Sequence, residues 1–181
     1  MISRSFDGRR AALAGAFAGL TAGVLLTMFM TVMSAAAGKD IWYGIKGAAA
    51  PFLGERAMQP GFDLGAAALG LFCHLGISMA WGTLFGLLVY TLRPALVMAA
   101  SVAWGFVVWL GMYYVVLPLV GLASMQHDAP VGRAIAFHLV FSVATGGALL
   151  LYRRLTSGTT PRARTRHHTP DYGLRPARAH R

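Results

Sequence analysis

Polar positions in this chain fall in clusters, and the stretches between them are long and apolar. Four such stretches run from Ala11 to about Ala37, from Leu64 to about Leu92, from Ala95 to about Leu117, and from Ala134 to Tyr152. Each is close to the roughly 20 mostly apolar residues that cross a bilayer as a helix. Charges bound them: Arg10 and Lys39 the first, Asp63 and Arg93 the second, Arg133 and Arg153-Arg154 the fourth, while Pro118 interrupts the third. The polar residues inside them are single His, Ser and Thr, and the alternation of a barrel strand is absent. Backbone in lipid must satisfy its own hydrogen bonds, so the pattern predicts four transmembrane helices. The expected fold is an all-α integral membrane four-helix bundle over residues 1–155, followed by a disordered basic tail over 156–181.

Composition agrees. Hydrophobic residues make up 56% of the chain and charged residues 12%, about half the share usual in soluble domains. The net charge of +10 is unevenly spread. Twelve of the 16 Lys and Arg residues lie in the N-terminal segment, the turn at Arg93 or the tail. The other four, Lys39, Lys46, Arg56 and Arg133, share the opposite side with Asp40, Glu55, Asp63 and Asp128. The positive-inside rule then puts both termini in the cytoplasm. A cleaved signal is the competing reading, with Ala35-Ala36-Ala37 as a small-residue cleavage site. The apolar run of about 27 residues is too long for it, since signal cores span roughly 7–15.

The outer segment Lys39–Asp63 places Ile41, Ile45, Ala48, Phe52 and Leu53 near helical spacing beside Trp42 and Tyr43. A short interfacial helix bent or stopped at Pro51 is expected, acting as an anchor or, alternatively, as a lid. In the second outer loop, Met125, His127 and Asp128 cluster without the spacing of a closed metal site. The tail, with Tyr172 as its one aromatic residue and no recognition fold, suits contact with anionic lipid and not nucleic acid.

Small residues recur every fourth position in the first span: Gly15, Gly19, Gly23, Thr27, Thr31 and Ala35. Such ladders let helices pack closely in lipid. A straight helix drifts about 40° per four residues, so the ladder should serve two neighbours in turn, or a right-handed crossing over its first half. The second span continues with Ser78, Gly82 and Gly86. One pattern occurs twice: His74-Leu75-x-x-Ser78-x-Ala80-x-Gly82 and His138-Leu139-x-x-Ser142-x-Ala144-x-Gly146. Its His, Ser and Gly lie on one helix face, and polar groups in hydrocarbon turn inward. This predicts two tandem, parallel two-helix repeats whose histidine faces meet in the interior.

The histidines carry the functional readings. In the first, each imidazole hydrogen-bonds a neighbouring helix, and the protein works through packing or through partners, as an oligomer or part of a membrane complex. In the second, His74, Ser78, His138 and Ser142 line a path for a small solute or a proton. The spans hold no carboxylate to couple such a path. In the third, His74 and His138 hold one haem. A metal site with Met79 or Cys73 has too few ligands to argue for. No catalytic motif is present, and no acid orients either histidine toward its serine. An enzyme is not expected.

The chain resembles the YagU-like family of bacterial inner-membrane proteins. The resemblance rests on Arg9-Arg10 leading into Gly19, Ala22 and Gly23, on His74 with Ser78, and on Leu117-Pro118-Leu119-Val120-Gly121-Leu122. It also rests on His138-Leu139-Val140 and Arg153-Arg154, and covers about residues 9–155. It implies an integral protein of the inner membrane and supplies no catalytic residue.

Overall fold

The computed structural model describes residues 7–123 and 130–157, all helix and connection with no strand among them. The Met125, His127 and Asp128 cluster and the tail from 158 onward lie outside the described residues. Four long helices follow the four apolar runs: α1 (Gly8–Ala36), α5 (Leu64–Val89), α6 (Pro94–Gly111) and α8 (Val131–Ser157). Three short helices, α2 (Tyr43–Gly47), α3 (Ala50–Leu53) and α4 (Glu55–Met58), form the connection from α1 to α5. Each long helix, the third counted on from Pro94 through Leu119, is apolar and long enough to cross a membrane.

Side-chain caps fix the starts of α1 and α5. Asp7 Oδ1 accepts from Arg10 N at 3.1 Å, and Asp63 Oδ1 accepts from Ala66 N at 3.0 Å. Each satisfies one of the amides that a helix leaves unpaired in its first turn. The third span passes from α6 through a π-helical turn (Met112–Val116) into α7 (Leu117–Leu119). Pro118 has no N–H to offer Tyr114 O, and its ring crowds that carbonyl. The wider turn, closed by Leu117 N on Met112 O, lets the helix run on past the proline.

The helices run up and down, and every neighbouring pair is antiparallel. At one end Ala14 and Ala18 of α1 pack with Phe85 and Val89 of α5, Val97 of α6, and Ala148 and Leu149 of α8. Farther along, Ala22, Leu26, Val108 and Phe141 form a second core layer. The outward surfaces are apolar, as lipid requires: Leu13, Val24, Met28, Phe72, Leu88 and Leu151 are all exposed.

Neighbouring helices approach to different depths. Along α1 and α5 the main chains meet. A Cβ added at Gly15 or Gly19 would collide with the carbonyls of Gly82 and Ser78, and one at Gly86 would lie 2.6 Å from Ala11 O. Between α5 and α6 large rings intervene. Trp104 stands 5.8 Å from Trp81 and 5.7 Å from Phe85, centroid to centroid. Gly111 makes room for Trp81, since a Cβ there would lie 2.6 Å from the indole.

Candidate functional site at the histidine seams

His74 sits where α5 crosses α1. Its Nε2 lies 3.1 Å from Gly23 O, and a carbonyl only accepts, so Nε2 carries the proton and donates. In the neutral ring Nδ1 is then the acceptor. Thr27 Oγ1 donates to the same carbonyl at 2.9 Å. One turn on, the buried Ser78 fills the space above Gly23, where a Cβ would lie 2.8 Å from both Ser78 Cβ and Oγ. Glycine at 15, 19 and 23 brings α1 near enough for the imidazole to reach a main-chain oxygen. The upper part of the ladder, Thr27 and Thr31, leaves this seam. It lines a cleft with Met30, Ser34, Leu71 and His74, closed by Ile41, Gly44 and Ile45 of the connection to α5. The ladder thus serves α5 first and the cleft afterwards, as helical drift requires. The free space is about 10 Å³, on the order of a single water.

His138 is placed differently. Its Nδ1 donates to Ala134 O of its own helix at 2.7 Å, which fixes the other tautomer, with Nε2 as the acceptor. Its ring meets Tyr113 of the π turn edge to face, with centroids 5.9 Å apart. Below it, Gly105 of α6 packs on Leu139 and on the His138 carbonyl, and Gly146 packs on Ser101. Ser142 is fully buried, and its Oγ has no hydrogen-bond partner among the described residues.

The expectation that the two histidine faces meet each other needs correction. The His74, Ser78 and Gly82 face turns to α1, and the His138, Ser142 and Gly146 face turns to α6. The cause is size. Small residues draw each helix to its hairpin partner, while Trp81, Phe85 and Trp104 fill the space across the bundle. The two histidines therefore have separate partners, and none of those named above is shared.

Sequence reasoning missed Lys46 and counted it as one outer charge. It is the largest fully buried side chain, 1% exposed. Its Nζ donates to Gln59 O and, at 2.5 Å, to Gly61 O, and it stands 3.7 Å from Asp40 Oδ2. Three acceptors match the three protons of an ammonium group. Asp40 also accepts from Trp42 N at 2.9 Å and from Gly61 N at 3.0 Å. The Trp42 amide first, then Gly61 and Lys46, hold its carboxyl below the usual range against the cost of burial. Nearby, Arg56 Nε donates to Asp63 Oδ2 at 2.9 Å. That bond, with the Ala66 amide, lowers the Asp63 pKa to about 2 and raises that of Arg56.

The segment from Lys39 to Asp63 is therefore not one interfacial helix. It is a cap of three short helices tied at its centre by a buried cation. Pro51 sits in the first turn of α3 instead of ending a longer helix, and Gly54, at φ +55°, reverses the chain between α3 and α4. The cap rests on α5 where Gly70 meets the Ile45 carbonyl, and on α1 where Gly44 meets Met30. A sequence signal was available in Gly70, an in-helix glycine outside the repeated motif.

Compared with family models, with characterised proteins and with solved structures, the chain finds no match in any of the three.

Proposed function

We propose that this chain is a multi-pass membrane component that acts through helix packing and through partners, with its interior histidines locking helices in place. The observation that carries this is the bond from His74 Nε2 to Gly23 O across the closest seam of the bundle. An imidazole committed to a neighbouring main-chain carbonyl, beside room for about one water, has the surroundings of a packing element. The proposal includes the bacterial inner membrane, with both termini cytoplasmic, on the charge asymmetry and on the resemblance to the YagU-like family. An oligomer or a larger complex is the expected working form. No catalysis and no cofactor enter this reading.

The test is to purify His74→Ala and His138→Ala and to measure thermal unfolding beside proton flux in liposomes carrying a pH-sensitive dye. The packing role predicts a lower melting temperature for His74→Ala and no flux through the native protein. Native flux that His74→Ala abolishes at unchanged stability overturns it. A Soret band in the purified protein that disappears in either variant would replace it with a haem reading.

The cleft favours a second reading. Thr27, Thr31, Ser34 and His74 form a polar lining under a folded cap, an arrangement suited to a small solute or a proton. The flux measurement decides between the two.

A further inference from the structure

At the end of the bundle where α1 begins and α8 finishes, a groove of about 340 Å³ separates the last turns of α8 from the start of α6. Pro94, Leu150, Arg153, Arg154 and Ser157 line it. Arg153 is held in place. Its Nη1 donates to Leu92 O at 2.8 Å, and its guanidinium lies 5.8 Å from the centre of the Tyr90 ring. These contacts tie α8 to the turn between α5 and α6 and use one of the guanidinium's donor groups, leaving several others. Ser157 Oγ turns back to Arg153 O at 2.6 Å and closes the last turn below the two arginines. Among the described residues, neither Arg153 nor Arg154 pairs with a carboxylate, and the one described acid at this end, Asp7, is bound to Arg10.

Depth decides what such a groove meets. Leu150 lies inside the apolar run, and Tyr90 and Tyr152 mark the level at which amphipathic rings settle at a membrane surface. The arginines follow directly, at headgroup height. Leu151, which precedes the arginines on α8 and so lies on their hydrocarbon side, is 53% exposed. A groove with cations at its rim and leucine and proline in its wall is shaped for a molecule charged at one end and apolar at the other.

We infer that the groove between α8 and α6 binds the phosphodiester headgroup of an anionic membrane lipid on Arg153 and Arg154. The two free oxygens of a phosphodiester match the paired donors of a guanidinium. The lipid's acyl chains run from there along Leu150 and Leu151. This site belongs to the folded domain and is distinct from the basic tail. It does not depend on the packing reading proposed above.

The experiment titrates the full-length protein in neutral detergent with phosphatidylglycerol and counts bound lipid by native mass spectrometry. Arg154→Gln is the main variant, because Arg153 also ties helices together. Arg154→Gln is expected to weaken binding about fivefold. Arg133→Gln at the far end of α8 should leave the affinity unchanged, and Arg162→Gln with Arg164→Gln reports the separate contribution of the tail. Equal binding by Arg154→Gln and the native protein overturns the inference, as does loss of binding in the tail variant alone. Equal affinity for phosphatidylcholine overturns it by showing adventitious lipid contact only. Full displacement by millimolar inorganic phosphate overturns it in favour of a free anion.

Discussion

Between α1 and α5 main chain lies on main chain along Gly15, Gly19, Gly82 and Gly86; between α6 and α8 the main chains come near at Gly105, while at Gly146 side chains stand between them. At Gly82 an added Cβ would run into Gly19 Cα and Gly15 O. At Gly146 it would meet Ser101 Cβ, at 2.8 Å, and Met98 Sδ, at 3.4 Å. The first hairpin also carries the folded cap with its buried Lys46. The same motif, His-Leu-x-x-Ser-x-Ala-x-Gly, therefore serves two degrees of closeness, and its histidine follows. Where the neighbouring backbone is within reach, His74 bonds across to it. His138 instead bonds the Ala134 carbonyl of its own helix and packs on the Tyr113 ring. A motif repeated in sequence sets which face is small, while the residues opposite set how near that face comes.

The largest test of this contrast removes the feature with no counterpart in the second hairpin. Lys46→Ala leaves the Gln59 and Gly61 carbonyls and the Asp40 carboxylate without their cation, a loss of about 3 kcal/mol for a buried ion with its partners in place. Limited proteolysis should cut between residues 54 and 61 while helical circular dichroism stays unchanged. A cap that resists cleavage in this variant shows that the helix contacts alone hold it.

The seams themselves come next. Gly82→Ala should destabilise by about 3 kcal/mol, because it meets backbone, and Gly146→Ala by about 2 kcal/mol, because the Ser101 hydroxyl and Met98 can turn aside while Ser101 Cβ moves only with its main chain. Unfolding in mixed detergent micelles measures both. Equal costs would mean that the two hairpins are packed alike.

A smaller difference separates the histidines. His74→Ala loses an interhelical bond, about 0.6–2 kcal/mol in a membrane. His138→Ala loses a bond within its own helix and an edge contact with Tyr113, so its effect should be the lesser. A larger loss from His138→Ala, in the same unfolding assay, would reverse the assignment of the tighter seam.

The smallest effect is a pH response confined to the cap. Asp63, with its pKa lowered to about 2 from 3.8, and Asp40, also lowered, favour the folded cap when ionised. Their contribution is complete above about pH 4 and is lost as pH falls toward 2. Hydrogen exchange over residues 40–66 should quicken across that window, while exchange along α6 and α8 holds. Parallel quickening in both hairpins would point to general loosening instead.

Much of this arrangement was legible in the residues. The four apolar runs mark the spans, and Gly15, Gly19, Gly23, Gly82 and Gly86 mark the closest seam, because small size at helical spacing has one strong use in lipid. Lys46 was not legible. Its burial depends on carbonyls at Gln59 and Gly61, supplied only after the chain reverses at Gly54, and nothing local distinguishes it from Lys39. The direction of the His138 face was hidden for a similar reason. It is set by the bulk of Trp81 and Trp104 on other helices, and periodicity within one helix does not report that.

The buried ammonium of Lys46 also bears on the order of assembly. Every partner it has lies between Asp40 and Gly61, and the glycine seam is complete by Gly86. During synthesis the chain can close its tightest hairpin before the third span leaves the ribosome. The lysine loses its water only when the cap folds around it. The first half is then a finished template, and α6 and α8 are laid against a surface already in place.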